Sequence, residues 1–237
     1  MKLVLEQIAK SFGNKQVLRD ISGTFEQGNI YGLLGRNGAG KTTLFNCLSD
    51  EIQPDAGTAT LLLEDGSSRS LASKDISYAL STPILPDFLT GREFIKFFID
   101  VNADAVDASK SVDDYFDLVQ IDSDDRDRLI RGYSHGMKNK VQMLCSIIAR
   151  PPVILLDEPL TSFDVVVALE IKQILKQMKQ DHILVFSTHI LQLATDLCDQ
   201  IVVLHEGTLE FLSHETLKQP DFEQRIVQLL TQGEQDD

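Results

Sequence analysis

The chain has no apolar run approaching the roughly 18 residues that cross a bilayer. Cations are also scarce, with 22 Lys and Arg against 36 Asp and Glu and a formal net charge of -14. That balance opposes nonspecific nucleic-acid binding, which needs several phosphate-neutralising cations on one face. Cysteine is rare. Cys47, Cys145 and Cys198 are far apart and lack CxxC spacing, so they read as buried thiols in a reducing compartment rather than a disulfide scaffold. Charges interrupt the first six residues, Met1 to Glu6, too early for a secretory signal. The expectation is a cytosolic chain that reaches a membrane only by docking to something else. Internal repeats, a long coiled coil and a basic arm are absent as well.

What is present is 237 residues, 43% of them hydrophobic, enough for a core of useful size. Only Gln232–Asp237 has the composition of a disordered segment. Strands are expected at 3–8, 29–34, 58–63, 76–80, 153–156, 182–186 and 200–205, with a helix over 40–50, which implies an α/β sheet. Between Pro86 and Ala149 the strand pattern stops. There Phe94, Phe97 and Phe98, and then Tyr115, Leu118 and Val119, recur at helical spacing and read as core. The acids crowding Asp100 to Asp127, with only Lys110 and Arg126 among them, read as a solvated face.

Gly35-Arg36-Asn37-Gly38-Ala39-Gly40-Lys41-Thr42 fits G-x-x-x-x-G-K-[ST]. Glycines let the backbone curl so that successive N–H groups point at phosphate oxygens. The helix that follows adds its free N–H groups and its dipole. Lys41 reaches the β- and γ-phosphates and the Thr42 hydroxyl ligates Mg²⁺. The strand 30–34 before the loop and Leu44, Phe45 and Leu48 after it supply the strand–loop–helix context the motif requires.

Val153-Ile154-Leu155-Leu156 reads as a buried strand ending in Asp157-Glu158. Side chains alternate along a strand, so adjacent acids at its end diverge. Asp157 is assigned to the metal, directly or through water, and Glu158 to the attacking water as general base. His189 follows a second apolar strand through Ser187-Thr188. It sits where open α/β sheets place ligands and is read as a γ-phosphate contact. Tyr133-Ser134-His135-Gly136-Met137 opens a helical stretch, 138–149, and a Ser and Gly at a helix start again suit an anion. One γ-phosphate already has its own loop, so this motif is expected to serve the ATP of another subunit.

In order and over nearly its whole length the sequence resembles the ATP-binding cassette (ABC) ATPases. Gly35–Thr42 matches the Walker A loop, 153–158 the Walker B strand, and Tyr133–Met137 a divergent form of the signature. Leu160-Thr161-Ser162-Phe163-Asp164 resembles the D-loop and His189 the switch histidine. The resemblance places Phe12 against adenine and Val17 in the base pocket. It implies that Asn37, Gly38, Ala39, Gly40 and Thr43 also line the ATP site, and that Ser134, Gly136 and Met137 complete it in trans. It further implies a P-loop NTPase core with an N-terminal antiparallel β subdomain and an inserted α-helical subdomain. The sheet lobes would span about 1–83 and 151–218, the helical lobe about 84–150 and a C-terminal helix about 219–232. ATP and Mg²⁺ are the implied cofactors. The implied partners are a second cassette, identical or not, in a head-to-tail dimer, and transmembrane permease subunits that hold the chain on the inner face of the cell membrane. The signature is similar to that of bacterial exporter-type cassettes.

The family has a metal-reaching glutamine after a strand. Here 76–81 reads Ile-Ser-Tyr-Ala-Leu-Ser, and no glutamine occurs between Gln53 and Gln120. Ser81 is the expected replacement and, being short, would reach the metal through a water. His135 adds bulk and a titratable donor where the family has a small residue. A soluble cassette outside transport, and a weakly hydrolysing regulatory cassette, stand as alternative functions.

Overall fold

The computed structural model describes residues 1–106, 109–159, 165–212 and 222–231. The expected D-loop at 160–164 and the tail at 232–237 lie outside these residues. Alternation of buried and exposed side chains makes Lys2–Phe12 (β1) and Lys15–Glu26 (β2) an antiparallel pair. Ala56–Leu62 (β4) and Ser68–Ser70 (β5) extend that layer antiparallel beyond β1. Ile30–Leu34 (β3), Val153–Asp157 (β7) and Ile183–Thr188 (β8) are buried at every position, as parallel strands covered on both faces must be. With Ile76–Ala79 (β6) and Gln200–His205 (β9) they pair in parallel in the order β6-β7-β8-β3-β9. Thr208–Leu212 (β10) runs antiparallel to β9 and touches β2, which joins both layers into one ten-stranded sheet.

The helices are Lys41–Leu48 (α1), Gly91–Val101 (α2), Val112–Leu118 (α3), Ser123–Arg126 (α4), His135–Ala149 (α5), Val165–Met178 (α6), Leu191–Leu197 (α7) and Phe222–Thr231 (α8). From α2 to α5 the described residues form no strand, only an isolated bridge between Thr90 and Leu129. Thr90 caps α2 and Ser111 caps α3, each through a reciprocal box with the acid three residues on, Glu93 and Asp114.

Several expectations need correction. The sequence pattern over 15–26 does not mark a strand, because β2 buries only about every third residue instead of every second. β5 and β10 are not legible in the sequence either, because they bury almost none of their side chains fully. Phe97 is 58% exposed, whereas Phe94 and Phe98, one turn apart, stack at a 6.0 Å ring separation. At about 100° per residue, position 97 falls off the stripe the other two share. The acidic run is not simply solvated. Arg126 is buried, pairs with Asp113 and Asp117 and lies over the Phe116 ring, while Arg92 pairs with Asp113 and Asp127.

Candidate nucleotide site

β3 delivers the chain into the loop, and α1 leaves it. Gly40 takes φ 106° directly before α1, and a Cβ there would come within 2.9 Å of Val17. Glycine is required at that point on both counts. Lys41 is buried and curls back on the loop, donating to the carbonyls of Gly35 at 2.8 Å and Arg36 at 3.2 Å. Burial pushes the Lys41 ammonium below its usual pKa, while Glu158 and Asp157 oppose the shift. A polyanion entering the loop would add to that opposition.

Register brings the remaining groups level. Leu34 pairs with Thr188 across β3 and β8, and Asp157 pairs with Ser187 across β7 and β8. The last residues of three buried parallel strands therefore end in one plane, where open α/β sheets bind ligands. Thr42 Oγ1 donates to Asp157 Oδ2 at 3.0 Å. The buried Ser187 hydroxyl donates to Asp157 Oδ1 and accepts from the Glu158 N–H at 3.0 Å. Glu158 adopts φ 49°, a left-handed conformation costly for a side chain with a Cβ, and its Oε1 lies 2.9 Å from His189 Nδ1.

A cleft of about 400 Å³ gathers Phe12, Val17, Asn37, Gly38, Gly40, Lys41, Thr42 and Thr43 with Ser81, Asp157 and Glu158. Gly35 and Ala39 shape the loop from behind: Gly35 is buried, and Ala39 N–H bonds the Arg36 carbonyl at 3.1 Å. Phe12, 51% exposed, stands at the cleft wall. Ser134, Gly136 and Met137 are absent from the cleft lining. Ser134 is exposed at the start of α5, where it caps the helix by accepting from the Met137 N–H at 3.2 Å.

Sequence reasoning missed Ser187 and Tyr78. Tyr78 O–H approaches Asp157 Oδ2 at 3.5 Å, and burial, reinforced by the Asp157 charge, pushes its phenol well above the usual value. A hydroxyl one strand away from Asp157 leaves no mark in a linear motif. It also missed the ties from α5 to the strand leading to Ser81: Gln142 Nε2 donates to the Leu80 carbonyl at 3.0 Å, and the Ser77 and Ser146 hydroxyls meet at 2.6 Å.

For a divalent cation the donors fit. Thr42 and Asp157 offer hard oxygens in mutual contact, and among the described residues no cluster of three or more His, Cys, Asp or Glu forms an all-protein cage. Magnesium is held in this way, by one or two protein oxygens together with substrate phosphates.

The family model described as ABC transporter matches residues 18–161, more than half of the chain. The chain belongs to the ABC transporter family. As a member, it is 28% identical over 210 residues to the uncharacterized ABC transporter ATP-binding protein YxlF of Bacillus subtilis (strain 168), an overlap of 88% of this chain and 70% of that one. Its fold is similar to that of a solved ATP binding subunit of an ABC transporter, with a TM-score of 0.76, 22% identity and coverage of 98% and 95%. It is also similar in fold to the ATP-binding cassette MJ0796, solved as a dimer in a post-hydrolysis state with ADP and Pi, with a TM-score of 0.73, 20% identity and coverage of 88% and 96%. Among the described residues of this ABC family member, no helix is long and apolar enough to cross a membrane.

Proposed function

We propose that the chain is the nucleotide-binding subunit of a membrane transporter, and that it hydrolyses Mg-ATP between two cassettes to drive permease partners. The observation that carries this reading is the convergence of Lys41, Thr42, Asp157 and Glu158 on one cleft, with His189 in contact with Glu158. Loop N–H groups and Lys41 hold the β- and γ-phosphates. Thr42 and Asp157 would hold Mg²⁺, which supplies charge neutralisation on the phosphates. Glu158 accepts a proton from the attacking water, and His189, donating its Nδ1–H to Glu158, keeps that carboxylate oriented; doubly protonated, it also donates Nε2–H to the γ-phosphate. Phe12 and Val17 take the adenine. Ser81, which lines the same cleft, would contact the metal through a water.

The exposed N-terminus of α5, which does not line its own cleft, supports completion of the site by Ser134, Gly136 and Met137 of a second cassette. The dimeric state of the MJ0796 cassette supports the same arrangement. Ile84 and Phe88, each 79% exposed, follow Ser81 closely in the chain and supply an apolar surface suited to a permease. In this reading the protein sits peripherally on the cytoplasmic face of the membrane, held by its partners. The contact between Glu158 and His189 favours turnover over a purely regulatory role.

Purified protein is expected to hydrolyse ATP, and Glu158→Gln to lower turnover by about 10²- to 10⁴-fold while ATP still binds. Equal rates for the two proteins would overturn the role of Glu158. Absence of turnover in the native chain, alone and with its co-purified permease, would overturn the enzymatic reading.

A further inference from the structure

A second cavity lies where the ends of α3, α5 and α6 meet, at the opposite end of α5 from Ser134. Leu118, Ile147, Ile174 and Met178 form the apolar part of its wall, and Gln177 joins the charged and imidazole groups on the polar part. Its volume is about 200 Å³, and a cavity of about 150 Å³ suffices for benzene. The space therefore suits a body of one small ring or a short hydrocarbon, well below a nucleotide.

Its polar groups are unevenly placed. Lys110 and Arg150 both line it and are exposed. Neither forms an ion pair among the described residues, although eleven other lysines and arginines do. Lys110 rests over the Tyr115 ring at 5.8 Å and feels the charge of Asp114. Arg150 is the residue that closes α5, turned into the left-handed region at φ 48°. Asp181 also lines the cavity and is the single carboxylate among its described lining residues, which include two cations.

His182 is buried, and its Nδ1 lies 2.6 Å from the Pro151 carbonyl. A carbonyl only accepts, so Nδ1 carries the hydrogen and Nε2 is a lone-pair acceptor with no protein partner among the described residues. Two cations outside any ion pair beside an apolar wall suit an amphipathic anion, and the Nε2 acceptor suits a hydroxyl or water next to it, not the carboxylate itself.

We infer that this cavity binds a small carboxylate with an apolar body of about six to ten non-hydrogen atoms. The carboxylate meets Arg150 and Lys110, the body packs on Ile147 and Met178, and a hydroxyl or water on the ligand meets His182 Nε2. Occupancy joins the end of α5 to α6. The site is separate from the nucleotide cleft and stands whether or not the transport reading does.

The test titrates the full chain with sodium benzoate at constant chloride, following methyl and amide resonances by NMR. Acetophenone, of the same size but neutral, is the control. Saturable shifts centred on Ile147, Ile174 and Met178 are expected, with a Kd of about 1 mM or tighter and acetophenone at least about tenfold weaker. Arg150→Gln, at an exposed position that leaves the core intact, should bring benzoate down to the acetophenone level. Ile147→Trp, which fills the cavity, should abolish both. No saturation, equal binding of the two probes, shifts centred elsewhere, or an unchanged affinity in Arg150→Gln would each overturn the assignment.

Discussion

At the scale of single residues, the site is built from short reaches, and Ser81 is the shortest. It lines the cleft with Asp157 but makes no hydrogen bond among the described residues, and in the proposed function its side chain would contribute to the metal through water. Ser81→Gln is expected to raise ATP turnover several-fold and to lower the Mg²⁺ concentration needed for half-maximal rate. An unchanged rate and an unchanged Mg²⁺ dependence would remove Ser81 from the site. His182 offers a different test. Burial holds its imidazole below the ordinary histidine value, against the opposing pull of the Pro151 carbonyl and Asp181. The folded chain therefore resists a proton that the unfolded chain takes up near pH 6.5. The resulting stability is full above that range and declines as pH falls through it. Urea midpoints measured from pH 7.5 to 5 should show this slope, and His182→Asn, which retains a donor for the Pro151 carbonyl, should flatten it.

At the scale of elements, α5 connects the parts. Its start carries Ser134, its middle touches β6 through Gln142 and Ser146, and Lys140 links it to α6. Lys140 is buried, donates to the Gln120 carbonyl at 3.1 Å and pairs with Glu170. Glu170 Oε2 is itself buried without a well-aligned hydrogen bond, so the contact is chiefly electrostatic. Removing one partner of such a pair leaves an uncompensated charge, typically at a cost of about 3 kcal/mol. Lys140→Met is expected to lose about that much in denaturant unfolding, and the double change with Glu170→Leu to recover most of it. Loss in both variants would mean that packing, not charge, governs the α5–α6 contact.

At the scale of the whole molecule, the exposed signature does not line the cleft, and the proposed function joins the two by pairing two chains. Glu158→Gln should trap ATP and run as a species of twice the monomer mass by light scattering, reverting to monomer with ADP. Ser134→Arg in that background should stay monomeric while each chain still binds ATP. A dimer persisting with Arg at position 134 would place the interface elsewhere.

Sequence by itself determined the parts whose chemistry is contiguous. Gly35–Thr42 must curl around phosphate because glycine torsions and a helix start occur together, and the run 153–156 must be a buried strand because it has no polar side. Asp157, Glu158 and His189 were legible as strand-end groups for the same reason. The edge strands were less legible, since β2 is half exposed and shifted in register, and the acidic run concealed its pairing with Arg92 from outside the window. Tertiary structure alone decided what pairing register decides: Ser187 beside Asp157, Tyr78 facing the same carboxylate, and His189 level with Glu158. It alone also created the cavity at Arg150, whose walls come from helices distant in sequence. Local patterns dictate which residues enter an element, whereas distances between elements depend on how the strands align and the helices pack across the whole sheet.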